Sequence, residues 1–386
     1  MPIRVRLFER EVRRRFTATV HHIESRVSVT STQSTPSGPS NSPPDARLEQ
    51  LRRWVQQLFG SQDFTIAPAS ADASFRRYFR VTRDGQTWIA MDAPPEKENM
   101  EPYIRIANML VEVGVNAPRV LHVNASEGFL LNTDLGSRTY LTDIDTGADV
   151  DKLYHDAMDA LVQIQANGKR HAPELPPYDE ALLRREMQLF PEWFVGRHLG
   201  LGLDPTETEA LQSVVDALVR EALAQPRVFV HRDYHSRNLM VAAGKFGTNP
   251  GILDFQDAVY GPVTYDLVSL LRDCYVAWPA ERVDEWLSRF REVARAAGVD
   301  TGRDQKTFQR WFDFMGVQRH LKAIGIFARL WHRDGKQGYL KDIPRTLNYV
   351  RVAAGSYPEL TPLRQLIDAR VMPVLDAAIP AGGDKT

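Results

Sequence analysis

The chain has 386 residues, 43% of them hydrophobic, which is ample for one large domain or two smaller ones. A formal net charge of −1 excludes a global basic field for nucleic acid or an anionic membrane surface. The single cysteine, Cys274, excludes an intramolecular disulfide framework and fits a reducing, cytoplasmic compartment, and no apolar run approaches the roughly 18 residues of a spanning helix.

The start differs in kind from the rest. "MPIRVRLFEREVRRRF" carries six arginines and two glutamates in its first fifteen positions, and "STQSTPSGPSNSPPD" follows, rich in Ser and Pro. The second stretch cannot bury apolar surface, so residues 1–44 are expected to form a disordered extension. A solvated arm, a targeting segment and an extension without a role all fit. A secretory signal lacks its apolar core here, and Glu9, Glu11 and Glu24 weaken a mitochondrial presequence, so a dispensable tail is the favoured reading. The folded part begins near Arg47.

Residues 47–59 place Leu48, Leu51, Trp54, Val55 and Leu58 at helical spacing. "ASADASFRRYFRVTRDGQTWIAMDA" reads as a loop followed by two strands around the turn "RDGQ". A helix is predicted over 99–113, ending at Gly114, and "RVLHVNASEGFLLNTDLG" reads as two more strands. From 150 onward the pattern is mostly helical: 151–166, 179–198, 206–224, 264–277, 281–297, 305–333 and 360–378.

Between those helices lies "FVHRDYHSRNLM". "RVFV" reads as a short strand ending at His231, and "NLMVA" and "GILDF" read as a hairpin that returns Asp254 beside Asn238. Asp254 and Asn238 are hard oxygen donors suited to Mg²⁺, which takes one or two protein oxygens and leaves its other positions to water and phosphates. Asp233, five residues before Asn238, is placed to accept a proton from a substrate hydroxyl. Asp, then Asn at plus five, then Asp on the next hairpin is the phosphoryl-transfer set of kinases. A lone "HRD" would carry little weight; the whole constellation carries much more.

"FVHRDYHSRNLMV" and "GILDFQDAVYGPVTYDLVSLL" resemble the aminoglycoside phosphotransferase family over residues 47 to 360. The resemblance implies an α+β, protein-kinase-like, two-lobed fold: a small β-rich nucleotide-binding lobe over 45–135 and a larger, mostly helical catalytic and acceptor lobe over 136–380. A narrower resemblance, carried by "SADASFRRYFR", "WIAMDAPPEKENMEPY", "EMQLFPEWFVGRHLG" and "FDFMGVQRHLKAIGIFARL", is to bacterial N-acetylmuramate/N-acetylglucosamine anomeric kinases of peptidoglycan recycling.

That resemblance implies a base at Asp233, magnesium ligands at Asn238 and Asp254, and support of the catalytic loop by Asp266 and His231. Asp266 also suits the first turn of a helix. ATP and Mg²⁺ are the expected co-substrate and cofactor. An amino sugar is the expected acceptor, with no nucleic acid, membrane or obligatory protein partner. Asn132 and Asp134, in "LLNTDLG", match the strand and hinge where adenine docks.

Two departures stand out. Met91 occupies the place of the third-strand lysine that reaches the phosphates, a replacement the narrower family shares, and Arg76, Arg77 and Lys97 are the local cations that remain. The glycine-rich lid is also missing; Ser70, Ser74 and backbone N–H groups are the expected phosphate cradle.

For the acceptor, Glu186 with Trp193 offers a carboxylate and an indole for a sugar ring, and Arg319 a cation for a lactyl carboxylate. A surface glutamate, a core tryptophan and ordinary helix ion pairing are the alternatives. Leu183, Met187 and Phe190 follow core spacing. Aminoglycoside, choline or homoserine acceptors would use the same catalytic residues, and a catalytically silent nucleotide-binding regulator is the reading from another class. The mixed Arg, His, Lys and Glu content of the acceptor segments disfavours a polycationic aminoglycoside.

Overall fold

The computed structural model describes residues 45–71 and 75–379, so the extension over 1–44 lies outside the described residues. The second of the chain's two units, Arg47–Thr386, carries the elements that position the site. Helix α1 (Ala46–Phe59) precedes a five-stranded antiparallel sheet of β1 (Thr65–Ala71), β2 (Arg77–Arg83), β3 (Gln86–Asp92), β4 (Val120–Asn124) and β5 (Phe129–Thr133), in the order β1-β2-β3-β5-β4. The β2–β3 turn has Asp84 and Gly85 both at positive φ, as a two-residue hairpin demands.

Side-chain alternation gives the sheet two apolar faces. Phe79, Val81, Ala90, Phe129 and Leu131 pack with Leu51, Trp54 and Val55 of α1. Met91 and Leu130 point the other way, into the main core with Tyr103, Ile106 and Leu110 of α2 (Glu101–Val113). Buried in that core, Met91 is a packing residue rather than a polar group reaching a ligand.

The strand β1 was not expected, because "ASADASF" reads as loop. Pro68 removes a backbone donor, and the register shifts between Pro68 and Ser70, so this edge strand carries a break in its own sequence signal.

The rest is helical: α3 (Tyr140–Asp145), α4 (Val150–Asn167), α5 (Glu180–Met187), α6 (Pro205–Leu223), α7 (Tyr265–Leu271), α8 (Ala280–Ala296), α9 (Gln305–Asp334), α10 (Ile343–Ser356), α11 (Thr361–Leu366) and α12 (Met372–Ala378). Several differ from expectation. The helix over 179–198 divides into α5 and wider π-type turns at Phe190–His198, with Pro191 at the junction. The helix over 264–277 stops at Leu271, because Arg272 leaves helical geometry and frees residues 272–279 as a loop. The helices α3 and α10 were not anticipated. No helix among the described residues is long and apolar enough to cross a membrane.

Four short strands present the loop of interest. β6 (Arg227–Val230) pairs with β9 (Val259–Pro262), and β7 (Leu239–Met240) with β8 (Gly251–Ile252). Helix α9 is the spine against which α5, α6, α7, α10 and the π-type turns pack. It passes close to its neighbour at Gly325, where a Cβ would lie 2.4 Å from the Leu189 carbonyl carbon. Gly325→Ala is therefore expected to destabilise the fold by about 1–3 kcal/mol through overpacking. Thermal unfolding checks this: a lowered Tm is expected, and an unchanged one would show that α9 and the 187–190 backbone can separate freely.

Candidate active site

The strand β6 ends at Val230, and its backbone turns sharply: Arg232 has φ of 81°, in the left-handed region that costs a non-glycine residue about 1–3 kcal/mol. Asp266, in the first turn of α7, holds the turn. Its carboxylate accepts the His231 N–H at 2.6 Å and the Arg232 N–H at 2.9 Å. Full burial pushes the Asp266 carboxyl up to about 7, with the two backbone N–H bonds acting in the opposite direction. His231 is also fully buried, which pushes its imidazole down to about 4. Its neutral Nδ1 accepts the Asp233 N–H at 3.2 Å.

Asn238 closes the loop. Its Nδ2 donates to the Asp233 carbonyl at 3.0 Å and to Asp254 Oδ2 at 3.1 Å. The pairing of Leu239 with Ile252, and the Leu253 N–H donating to the Asn238 carbonyl at 2.9 Å, carry Asp254 to that place. Asp254 is the second non-glycine residue here at positive φ, 63°, and Gln256 Nε2 donates to its Oδ1 at 2.9 Å.

With the Asn238 amide nitrogen turned to the loop carbonyl, its Oδ1 remains for a cation beside the Asp254 carboxylate. This oxygen pair fits Mg²⁺. No group of three or more His, Cys, Asp or Glu that could hold a metal exists among the described residues, so a cation here leans on these two side chains and on what the substrate brings.

Asp233 is partly buried beside a set of cations. Burial alone would raise its carboxyl, but the charges of Lys322, Arg319 and Arg232 outweigh it and hold Asp233 below the usual carboxylate range. Arg319 and Lys322, both on α9, bring charge from a helix 86 and 89 residues further along the chain (319 − 233 = 86, 322 − 233 = 89). Asp233 is therefore ionised at neutral pH and ready to take a proton.

The structure assigns Glu186 a different partner set from the expected acceptor. The side chain is buried; it receives hydrogen bonds from the Tyr178 hydroxyl and the Arg232 guanidinium, and it pairs with Lys322 at 3.1 Å and Gln318 at 3.3 Å. Its oxygens are committed within the protein. Trp193 packs against the main core, with the Arg197 guanidinium 4.2 Å over its ring. Arg319 does reach the site. It is 6% exposed, its Nη1 lies 3.9 Å from Cys274 Sγ, and its charge acts on Asp233.

On the sheet side, Asn132 is fully buried on β5 and neither amide atom has a hydrogen-bond partner among the described residues. A donor and an acceptor together, buried and unmatched, suit the edge of a purine. Asp134 instead braces the segment after β5: Arg80 donates to it at 2.7 and 3.1 Å and the Gly136 N–H at 2.9 Å. Arg77 is engaged with the buried Asp92, at 3.0 and 2.6 Å, and Arg47 holds the same carboxylate.

Arg76 lies 3.7 Å from Glu98, which also accepts the Phe75 N–H at 3.0 Å. Burial pushes the Tyr103 phenol up, while the Arg76 charge acts to lower it and the Asp254 charge to raise it. Lys97 lies over the Phe75 ring at 4.7 Å. Ser70 is on β1, and Ser74 lies outside the described residues.

A family model described as the phosphotransferase enzyme family matches residues 65–304. The chain belongs to that family. A Pseudomonas putida protein named N-acetylmuramate/N-acetylglucosamine kinase is 48% identical over 84% of this chain and 96% of its own length. A Caulobacter vibrioides protein of the same name is 30% identical over 82% of this chain and 94% of its own. Among solved structures, the choline kinase LicA from Streptococcus pneumoniae superimposes with a TM-score of 0.56 at 12% identity, covering 80% of this chain and 99% of that one. An ADP-bound aminoglycoside phosphotransferase gives 0.52 at 13%, covering 79% and 97%. These neighbours carry the same protein-kinase-like fold, with its small antiparallel sheet and mostly helical remainder.

Asp233→Asn keeps the shape of the loop and removes the carboxylate expected to accept the proton. A fall in kcat on the order of 10²-fold or more is expected, with nucleotide affinity little changed. Near-normal turnover by the folded variant, measured as ADP release, would contradict the assignment.

Proposed function

We propose that this enzyme transfers the γ-phosphoryl group of ATP to the anomeric hydroxyl of N-acetylmuramate and N-acetylglucosamine, giving sugar 1-phosphates during recovery of cell-wall amino sugars. The observation that carries the reading is the ionised Asp233 beside the Asn238–Asp254 oxygen pair, in a chain 48% identical to a kinase named for those two sugars. Bound Mg²⁺ would neutralise charge on the nucleotide phosphates, and Asn238 and Asp254 are the residues that would hold it.

The chain's own groups do the rest. Asp233 orients the acceptor hydroxyl and takes its proton as the oxygen bonds to phosphorus. Asp266, His231 and Asn238 fix the loop so that this carboxylate does not have to reorganise during reaction. Asn132 supplies the buried donor and acceptor for the base of the nucleotide. Arg76 is the cation that stands in for the absent third-strand lysine.

The anomeric hydroxyl is the most acidic on a sugar, so a carboxylate held below its ordinary range suffices as base. The cations crowding Asp233 also disfavour a cationic acceptor, which separates this reading from an aminoglycoside or choline kinase.

ADP release with each sugar against a no-acceptor control tests the activity. A 1-O-methyl glycoside has no free hydroxyl at that carbon and is expected to bind without reacting, and phosphorus coupling in the product is expected on H1. Phosphate on O6, or turnover of the methyl glycoside, would overturn the anomeric assignment; release independent of any sugar would overturn the acceptor class.

A further inference from the structure

Arg237 precedes Asn238 on the catalytic loop, and no step above uses it. Its guanidinium lies 3.6 Å over the Tyr275 ring and 5.9 Å from that of Tyr339. Tyr275 belongs to the loop after α7, next to Cys274, whose sulfur touches Arg319. The His235 ring meets Tyr275 edge-on at 5.2 Å, so this aromatic wall begins two residues from Asp233 and continues through Phe327 to Tyr339. Asn238 and Asp254 lie at the β7–β8 hairpin; the wall is built from the loop after α7, from α9 and from the turn before α10.

The charges on that wall are unequal. Asp273 is fully engaged, accepting from the Ser236 N–H and hydroxyl and from the Tyr275 N–H at 2.9, 2.5 and 2.9 Å. Asp342 faces Arg237 at 4.0 Å and Arg345 at 3.6 Å, neither within hydrogen-bond distance. Arg345 donates to the Cys274 carbonyl at 2.9 Å. Arg319 stands behind with a buried Nε that has no partner among the described residues. Two guanidinium groups, those of Arg237 and Arg345, therefore face one loosely placed carboxylate.

Arg237 is as exposed as Arg345, 37% against 38%, and differs from it in lying 3.6 Å over a tyrosine ring. A guanidinium pre-oriented by a tyrosine face presents its fork without losing much side-chain freedom, which suits bidentate capture of a carboxylate.

We propose that Arg237 is the specificity-determining residue for acceptors that carry a carboxylate, holding that group against the Tyr275–Tyr339 wall while the reacting hydroxyl points at Asp233. Arg319, which is deeper, serves the ionisation of Asp233 rather than the acceptor. The proposal rests on the sugar-kinase reading above and refines its acceptor site.

The test compares N-acetylmuramate, its methyl ester and N-acetylglucosamine with the wild-type enzyme and with Arg237→Met, Arg237→Lys and Tyr339→Leu. In the wild type, esterification is expected to lower kcat/KM about ten- to a hundredfold, the range for loss of a charge-assisted hydrogen bond. In Arg237→Met the acid-to-ester ratio is expected to fall toward one. Arg237→Lys should keep part of the discrimination, and Tyr339→Leu, which leaves the arginine but loosens its support, should reduce it. Melting temperature and nucleotide affinity report whether each variant is folded; should Arg237→Met fail to fold, the wild-type ester ratio and Tyr339→Leu decide.

An unchanged acid-to-ester ratio in the folded variants, or an equal fall for all three acceptors, would overturn the specificity role while leaving the kinase reading intact. Absence of turnover of any sugar by the wild type would instead overturn the reading on which the proposal rests.

Discussion

One buried carboxylate organises the helical side of the site. Glu186, on α5, is engaged by Arg232 from the catalytic loop and by Lys322 from α9, with Tyr178 and Gln318 completing its hydrogen bonds. Bringing these charges out of water is tolerable because each has a partner; removing one member of such a set leaves a buried charge uncompensated, at a cost of about 3–5 kcal/mol. The arrangement does two things. It anchors Arg232, whose backbone is in an unfavourable conformation, and it fixes Lys322 where its charge acts on Asp233. The start of the loop is thus held twice, by Asp266 through the His231 and Arg232 amides and by Glu186 through the Arg232 side chain.

The same cations shape what the enzyme can accept. A base buried against apolar surface would be protonated at neutral pH; Asp233 is kept ionised by positive neighbours instead. Positive neighbours repel a cationic acceptor and tolerate or attract an anionic one, so the means of tuning the base also biases the choice of substrate. The chain's net charge of −1 conceals this local excess, which is assembled from α9, the catalytic loop and the segment around Asp342.

Much of this was legible in the sequence, for a physical reason. Asp233, Asn238 and Asp254 are related by a five-residue loop and one short hairpin, so local spacing determines their meeting. The helices α4, α6 and α8 have strong periodicity and end near where their patterns end. What escaped was set by contacts between distant segments. Pro68 disguised an edge strand whose place is determined by pairing with β2. Pro191 and Arg272 broke helices that periodicity would have continued. Glu186 looked like an open acceptor contact because its partners, Arg232 and Lys322, lie 46 and 136 residues away in sequence (232 − 186 = 46, 322 − 186 = 136). Arg237 gave no signal, since its neighbours Tyr275 and Tyr339 are brought to it only by the packed helices. A rule that could have found it is to list every cation on the catalytic loop and ask which one lacks a carboxylate nearby in sequence.

The account stands on Asp233 being held as a carboxylate by cations from α9. The most direct measurement is the pH dependence of kcat for the wild type and Lys322→Met. Turnover falls as pH drops through the Asp233 pKa; removing a cation makes the carboxylate easier to protonate, so the acid limb of Lys322→Met should lie at higher pH, with nucleotide affinity preserved. An acid limb at the same pH in a folded, nucleotide-binding variant, or one displaced to lower pH, would contradict the account.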